Sequence, residues 1–512
     1  MFIRFLSSWI LEKLNETPLS PCSGELMPVV VRNFQILSSL ISFGAVPALF
    51  FLALAGMPDG QACAQDSTTP AAEAPTQTVP DSVPAPVPDS APAPAPDSAS
   101  APAATPAVVD NAQQYVLNQQ KLTRSIREIR NPLPGPDKVA ADKVKRQYTQ
   151  LLATGFSGEA DSKIVRDYLT WLIFQASDPA FSQSSKNMEN LIEDVKNSIV
   201  KAGSGAQGGQ AGKDRERRKY CAEVLAVVKQ MLDNNLDSRF AAIKIMQYLY
   251  DTIPAQGGGA TSMTRLHPEA LTVMLTVLND ANQPDSVKSV TAASLKNILM
   301  NCDVVEQDQF RISDAIYKEI VRPYTEVAFQ MDLLDAAYLI TKPRRTVGTP
   351  EPTALKIFAA VINDRTKPVE VRCHAAKGFG ICNYDVAGTK FDPIAWKVTQ
   401  LAGDAALEYS QNPGDPKWQW CGIDLLLTFR HATAAEAAAA PPAGKGIMNR
   451  APNSKVVSEA APFVTLVSLQ LIANKGNFKP AQIAELAKMK TWLTDNVPAD
   501  LKWDTNAAPL QK

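Results

Sequence analysis

Three histidines, His267, His374 and His431, are all the imidazoles this 512-residue chain has for general acid–base work or metal binding. Seven cysteines accompany them: Cys22, Cys63, Cys221, Cys302, Cys373, Cys382 and Cys421. A structural zinc site needs thiolates and imidazoles at short fixed spacings, and no CxxC pair occurs. Cys373 and His374 adjoin, but neighbouring helical residues point about 100° apart, which argues against a nucleophile and its base. Cys373 and Cys382 lie nine residues apart, too far along one helix to be bridged. The Gly212-Lys213 pair ends a glycine-rich run, yet a phosphate-binding loop reads GxxxxGK followed by a hydroxyl residue. Here Gln207 stands in the first glycine's place and Asp214 in the hydroxyl's, so the segment reads as a loop. KDRERRKY, residues 213–220, mixes both charge signs and reads as a solvated helix start without the interleaved aromatics that stack bases. No Ser-His-Asp arrangement, HExxH helix or paired-carboxylate motif occurs. The expectation is a protein that is not an enzyme, with no catalytic, cofactor-binding or metal-binding residues and no cofactor.

Lysine plus arginine (51) nearly balance aspartate plus glutamate (52). No overall field favours a polyanion, so no nucleic-acid partner is expected. The length exceeds what one compact core serves and favours several domains or a repeat array.

Residues 33–58, NFQILSSLISFGAVPALFFLALAGMP, carry no charge, follow Arg32, and lead to Ala62, Cys63 and Ala64. That is the layout of a signal peptide over residues 1–64 with cleavage after Ala64, and Met27 offers an alternative start. The same run is long enough to stay as a membrane anchor if uncleaved. Either way the rest of the chain is expected outside the membrane, periplasmic or extracellular. Residues 65–110 repeat PDS at Pro80, Pro88 and Pro96 among prolines and alanines, a composition for an extended linker or stalk.

From residue 111 the chemistry-bearing residues sit on helical periodicity. Leu271, Met274, Leu275 and Leu278 recur at i, i+3, i+4 and i+7, and Leu355, Phe358, Ala359 and Ile362 repeat the stripe 84 residues later. Pro268 and Pro352 suit a first helical turn. Pro284 and Pro368 follow Asn-Asp turns and introduce second helices, the first with the stripe Val287, Val290, Thr291, Ser294, Leu295, Ile298. A hairpin of this kind has an apolar side it cannot cover alone, which predicts stacking. With Asp280 before Val287-Lys288 and Asp364 before Val371-Arg372, the sequence resembles the HEAT repeat family over about residues 224–382. The resemblance implies an all-α fold, an irregular α-solenoid of HEAT-like hairpins over 111–430. Asp280, Lys288, Asp364 and Arg372 are then equivalent repeat positions, their side chains spread along one edge. A diverged unit falls between the two copies, ending in MDLLDAAYLI. A flexible Ala/Pro/Gly-rich loop, 431–456, and a C-terminal helical segment, 457–512, complete the order.

His374 aligns with Val290 on the core-facing stripe, as a buried hydrogen-bonded histidine or a pH-sensitive packing element. Cys382 aligns with Ile298 and is expected to pack as a small apolar group. Trp396, Trp418 and Trp420 lie close together, either as core or as anchors for a partner. The functional expectation is a non-catalytic interaction scaffold of the bacterial envelope or periplasm that binds a protein or envelope component. Two rivals are an enzyme on a helical-repeat frame and a nucleic-acid-binding HEAT protein of the alkylation-repair type.

Overall fold

Helical stripes need partners, and the computed structural model shows where they find them. It describes residues 138–253, 264–323, 325–341, 353–382, 389–430 and 446–499. The segment read as a signal peptide, with Cys22 and Cys63, the segment read as a linker, residues 111–137, Pro352, His431 and most of the loop read at 431–456 lie outside the described residues.

The described chain is all-α apart from one two-stranded ribbon. Its first part comprises α1 (Lys138–Thr154), α2 (Glu159–Ile173), a 3₁₀ turn (Phe174–Ser177), the short α3 (Pro179–Ser182), α4 (Ser185–Lys201), α5 (Gly209–Met231) and α6 (Leu236–Met246). Strands β1 (Tyr250–Thr252) and β2 (Arg265–Leu266) pair antiparallel, with Tyr250 opposite Leu266. Then follow α7 (Pro268–Asn279), α8 (Asp285–Asn301), α9 (Glu306–Ile320), α10 (Val327–Ala337), α11 (Ala354–Asn363) and α12 (Val369–Ile381). The last part is α13 (Phe391–Gln411), α14 (Lys417–Phe429), the short α15 (Ile447–Arg450), α16 (Lys455–Ala473) and α17 (Pro480–Asp495).

The two echoed segments both form helix, turn, helix, and their stripes are buried from Leu271 to Leu278 and from Leu355 to Ile362. Their turns share one hydrogen-bond plan. The Asp280 amide donates to the Val277 carbonyl (3.3 Å), its carboxylate accepts the Asn282 amide (2.8 Å), and its carbonyl accepts the Gln283 amide (3.1 Å). The Asp364 amide donates to Val361 (3.3 Å), its carboxylate accepts the Thr366 amide (3.0 Å), and its carbonyl accepts the Lys367 amide (3.2 Å). A short acidic side chain can cap its own turn in this way, which is why aspartate suits the position. Pro284 and Pro368 sit extended just before the next helices, and their carbonyls accept the amides of Val287 and Lys288, and of Val371 and Arg372, at 3.0–3.1 Å.

Between the copies, α9 and α10 form a further helix pair. Alternate helices then make two layers. In one, α6, α8, α10, α12, α14 and α16 each pack on the next; in the other, α7, α9, α11 and α13 do the same. A continuous apolar cluster from Tyr148 to Phe478 lies between and around them. Helix α16 is long and apolar enough to cross a membrane. Its stripe of Val457, Ala460, Val464, Val467 and Leu471 is buried, with the helix packed on α13 and α14.

Three local expectations change. Gly209 to Asp214, read as loop because of its glycines, opens α5. Gly212 is needed there, since an alanine Cβ would meet the Gln207 carbonyl. The charged run that follows is not a solvated helix start throughout: Glu216 and Arg217 are buried, and Arg217 pairs with Asp214 at 2.7 Å while donating to the Ile199 carbonyl. Internal pairing makes their burial tolerable. Finally, the end of the segment read as flexible carries α15, and Arg450 donates to the Cys382 carbonyl at 2.5 Å.

Candidate functional site

The layer containing α8, α10, α12 and α14 aligns one charged side chain from each helix. Lys296 on α8 reaches Asp335 on α10 at 2.7 Å. The other oxygen of Asp335 faces His374 Nε2 on α12 at 3.0 Å, and His374 Nδ1 faces Asp424 on α14 at 2.8 Å. Lys377, one turn beyond His374, closes the row on Asp424 at 3.4 Å. Beside it the Ser289 hydroxyl donates to Asp332.

Signs alternate along the row. Burial works against a charge on His374, but hydrogen bonds to Asp335 and Asp424 outweigh it and raise its pKa above the ordinary value. Burial would raise Asp335, yet bonds from His374 and Lys296 prevail and bring it down to about 2. With carboxylates on both ring nitrogens the imidazole is held as a double donor, which leaves no free nitrogen for general base work. The row ties four helices together across their half-exposed side.

Sequence reasoning placed His374 on the core-facing stripe but missed its partners. Lys296, Asp335 and His374 are separated by 39 residues at each step. Three different residue types at that interval leave no self-similarity for a sequence comparison to detect.

The four residues read as equivalent repeat positions divide into two kinds. Asp280 and Asp364 cap turns, as described. Lys288 and Arg372 do not line an exposed edge: Lys288 is fully buried and pairs with Glu319 on α9 at 3.0 Å, and Arg372 pairs with Asp404 on α13 at 2.9 Å. Burial lowers the Lys288 pKa despite Glu319. Arg322 adds a second bond to Glu319. These cations link one helix pair to the next from inside, because their helical position faces the neighbouring pair and not water.

Among the three tryptophans, Trp418 is buried and donates its indole N–H to the Asn412 carbonyl (2.8 Å), stacked edge-on to Tyr409. Trp396 is nearly buried and donates to the Leu493 carbonyl at the end of α17 (2.9 Å). Both are core residues, since their polar tips find carbonyls inside. Trp420 is 63% exposed, and Ile423, one turn on along the same face of α14, is also exposed. Gly422 brings that helix against α16, where a Cβ would lie 2.6 Å from the Ser468 carbonyl.

The remaining histidine within the described residues, His267, faces Asp251 at 2.8 Å, and Arg218 bonds the same carboxylate at 3.2 Å. Cys221 nearby donates to the Tyr250 carbonyl (3.6 Å), and burial pushes its thiol up, away from the thiolate a nucleophile requires. Burial does the same to Cys382, whose thiol donates to the Tyr338 carbonyl at 3.6 Å. Among the described residues no three His, Cys, Asp or Glu side chains converge as metal ligands would. No protein-family model, no curated protein and no solved structure matches the chain.

Proposed function

We propose that the folded region is a HEAT-like α-solenoid acting as a non-catalytic interaction scaffold, exported to the bacterial envelope or periplasm, with a protein partner seated on α14 around Trp420 and Ile423. The observation that carries this reading is the exposed pair itself. A tryptophan left mostly in water beside an exposed isoleucine, on a helix that buries Trp418, Leu425 and Phe429 on its other side, has the character of an interface anchor. Layered helical pairs give such an anchor a long, rigid neighbouring surface. The matching turns at Asp280 and Asp364 favour the repeat reading, and the alternating charge row fixes the orientation of α14 relative to α10 and α12.

The test is crosslinking in the native cell with a photoreactive residue at position 423, followed by identification of what is captured and by affinity measurement with the purified full-length chain. A saturable complex weakened by Trp420→Ala is expected. Capture of no specific partner at this position, together with turnover in peptide, glycoside or phosphodiester hydrolysis assays, would replace the scaffold with an enzyme.

A further inference from the structure

The buried thiols of Cys373 and Cys421 are not used by the binding surface, and their placement supports an inference that goes beyond it. Both side chains are fully or nearly fully buried. They belong to α12 and α14, helices whose backbones touch: an alanine Cβ at Gly380 would lie 2.4 Å from the Leu427 carbonyl and 2.8 Å from the Thr428 Cα. Gly380 is seven residues after Cys373, and Thr428 is seven residues after Cys421. Seven residues are close to two helical turns, so each cysteine lies on the same face as its partner in that close contact. The His374–Asp424 contact precedes the Gly380–Thr428 contact along both helices, so both run in one direction, and this register places Cys373 beside Cys421 two turns before Gly380 and Thr428. The contact between His374 and Asp424, at 2.8 Å, keeps the helices in this register at the cysteine level. Burial raises the Cys373 pKa well above its ordinary value, and the neighbouring Cys421 thiol adds to the rise. Among the described cysteines, Cys221 and Cys382 bond to backbone carbonyls instead.

We infer that Cys373 and Cys421 are a disulfide site, closed during folding by a thiol–disulfide exchange partner, which fastens α14 to α12. A disulfide needs α-carbons within about 7 Å and side chains directed at each other, conditions that helices in backbone contact and in register can meet. The chemistry is two exchanges. One cysteine thiolate attacks an oxidised donor, either a protein disulfide or oxidised glutathione, forming a mixed disulfide and releasing one donor thiol. The second cysteine thiolate then attacks that mixed disulfide and releases the other. Two electrons pass from the cysteines to the donor, which leaves as two thiols, and the two cysteine protons are taken up in the exchange. Closure belongs to the folding stage, because both sulfurs are inaccessible once α12 and α14 have docked and burial then holds the Cys373 thiol in its protonated form.

The test uses the full-length chain, denatured and reduced, then refolded in a buffer of oxidised and reduced glutathione. Tryptic mapping without reductant should find Cys373 and Cys421 in one linked peptide pair as the dominant bridge. The melting temperature should fall by several degrees on adding dithiothreitol, since the bridge closes a long loop. Cys421→Ser should melt at one temperature with or without reductant, and Cys373→Ala gives the same comparison if that variant folds poorly. Refolding to native helicity with both cysteines free, or a bridge from either of them to Cys302, would overturn the assignment. Because the oxidant is supplied in the tube, the outcome does not depend on where the cell delivers the protein.

Discussion

His374 shows how one side chain comes to hold three helices. Its raised pKa carries a sign that can be checked. A histidine whose folded pKa lies above the unfolded value of about 6.5 contributes stability that is fully present below that value and lost as pH rises through the folded pKa. Asp335, lowered to about 2, contributes above its ordinary value and loses that contribution as pH falls toward its folded pKa. The row is therefore most stabilising in mildly acidic solution. Denaturant midpoints should decline as pH rises above about 6.5 in the wild type, and His374→Gln should flatten that decline. Equal slopes in both proteins would mean that the imidazole titrates alike in the folded and unfolded chain. Lys288 makes a different claim. Removing it by Lys288→Ala strands the Glu319 carboxylate, which is almost wholly buried, and should cost about 3–5 kcal/mol, toward the lower end because Arg322 also bonds that carboxylate. The joint change Lys288→Met with Glu319→Leu should recover most of the loss, as apolar replacements of buried ion pairs commonly do. Denaturation curves of the single and double variants measure the coupling.

Helix against helix, the close approaches are made by missing side chains. Gly378 leaves room for the Phe358 ring of α11, while Gly380 faces the Leu427 carbonyl and Gly422 the Ser468 carbonyl, so α12, α14 and α16 approach to backbone distance. Gly380→Ala should destabilise by at least about 1–3 kcal/mol, the usual cost of overpacking, because the obstacle is backbone that cannot swing aside. Gly403→Ala in α13 meets only the flexible end of Met489 at 3.2 Å and should be neutral or gain up to about 1 kcal/mol from better helix propensity. Thermal melts of the two variants should thus move differently, and a Gly380→Ala melt matching the wild type would contradict the close contact. The helices themselves were legible in the residues. Leu271, Met274, Leu275 and Leu278 follow the helical period because that face is buried, and aspartate and proline mark the turns by chemistry local to the chain. The tie between Lys296, Asp335 and His374 was not, since contact between helices far apart in sequence leaves no local pattern. The start of α5 was misread for a different reason. Glycine there signals loop by its conformational freedom, whereas Gly212 sits inside the helix because the carbonyl of Gln207, in the turn just before it, leaves no room for a Cβ. Burial of Trp418 and exposure of Trp420, two residues apart, likewise depend on which side of α14 meets Tyr409.

Across the chain, the scaffold reading makes separable demands on the stalk, the core and the exposed face. Core loss and surface loss have different signatures, and the two neighbouring tryptophans distinguish them. Trp418→Ala empties a buried site and should cost about 3–5 kcal/mol of stability, with binding reduced only in proportion to the folded fraction. Trp420→Ala removes an exposed ring, should leave stability within about 0.5 kcal/mol, and should weaken the partner complex by roughly tenfold or more if the ring is an anchor. Deleting Asp66 to Ala107 tests the remaining part. A Pro/Ala-rich spacer sets reach and placement without contributing contacts, so a chain lacking it should bind the same partner within about a few-fold while changing where the complex is found in the cell. Measured together by titration calorimetry and melting curves on the full-length variants, these outcomes leave the proposal little room. If Trp420→Ala binds like the wild type and the deletion abolishes binding, the recognition element is the proline-rich segment, and the stacked helices serve to carry it.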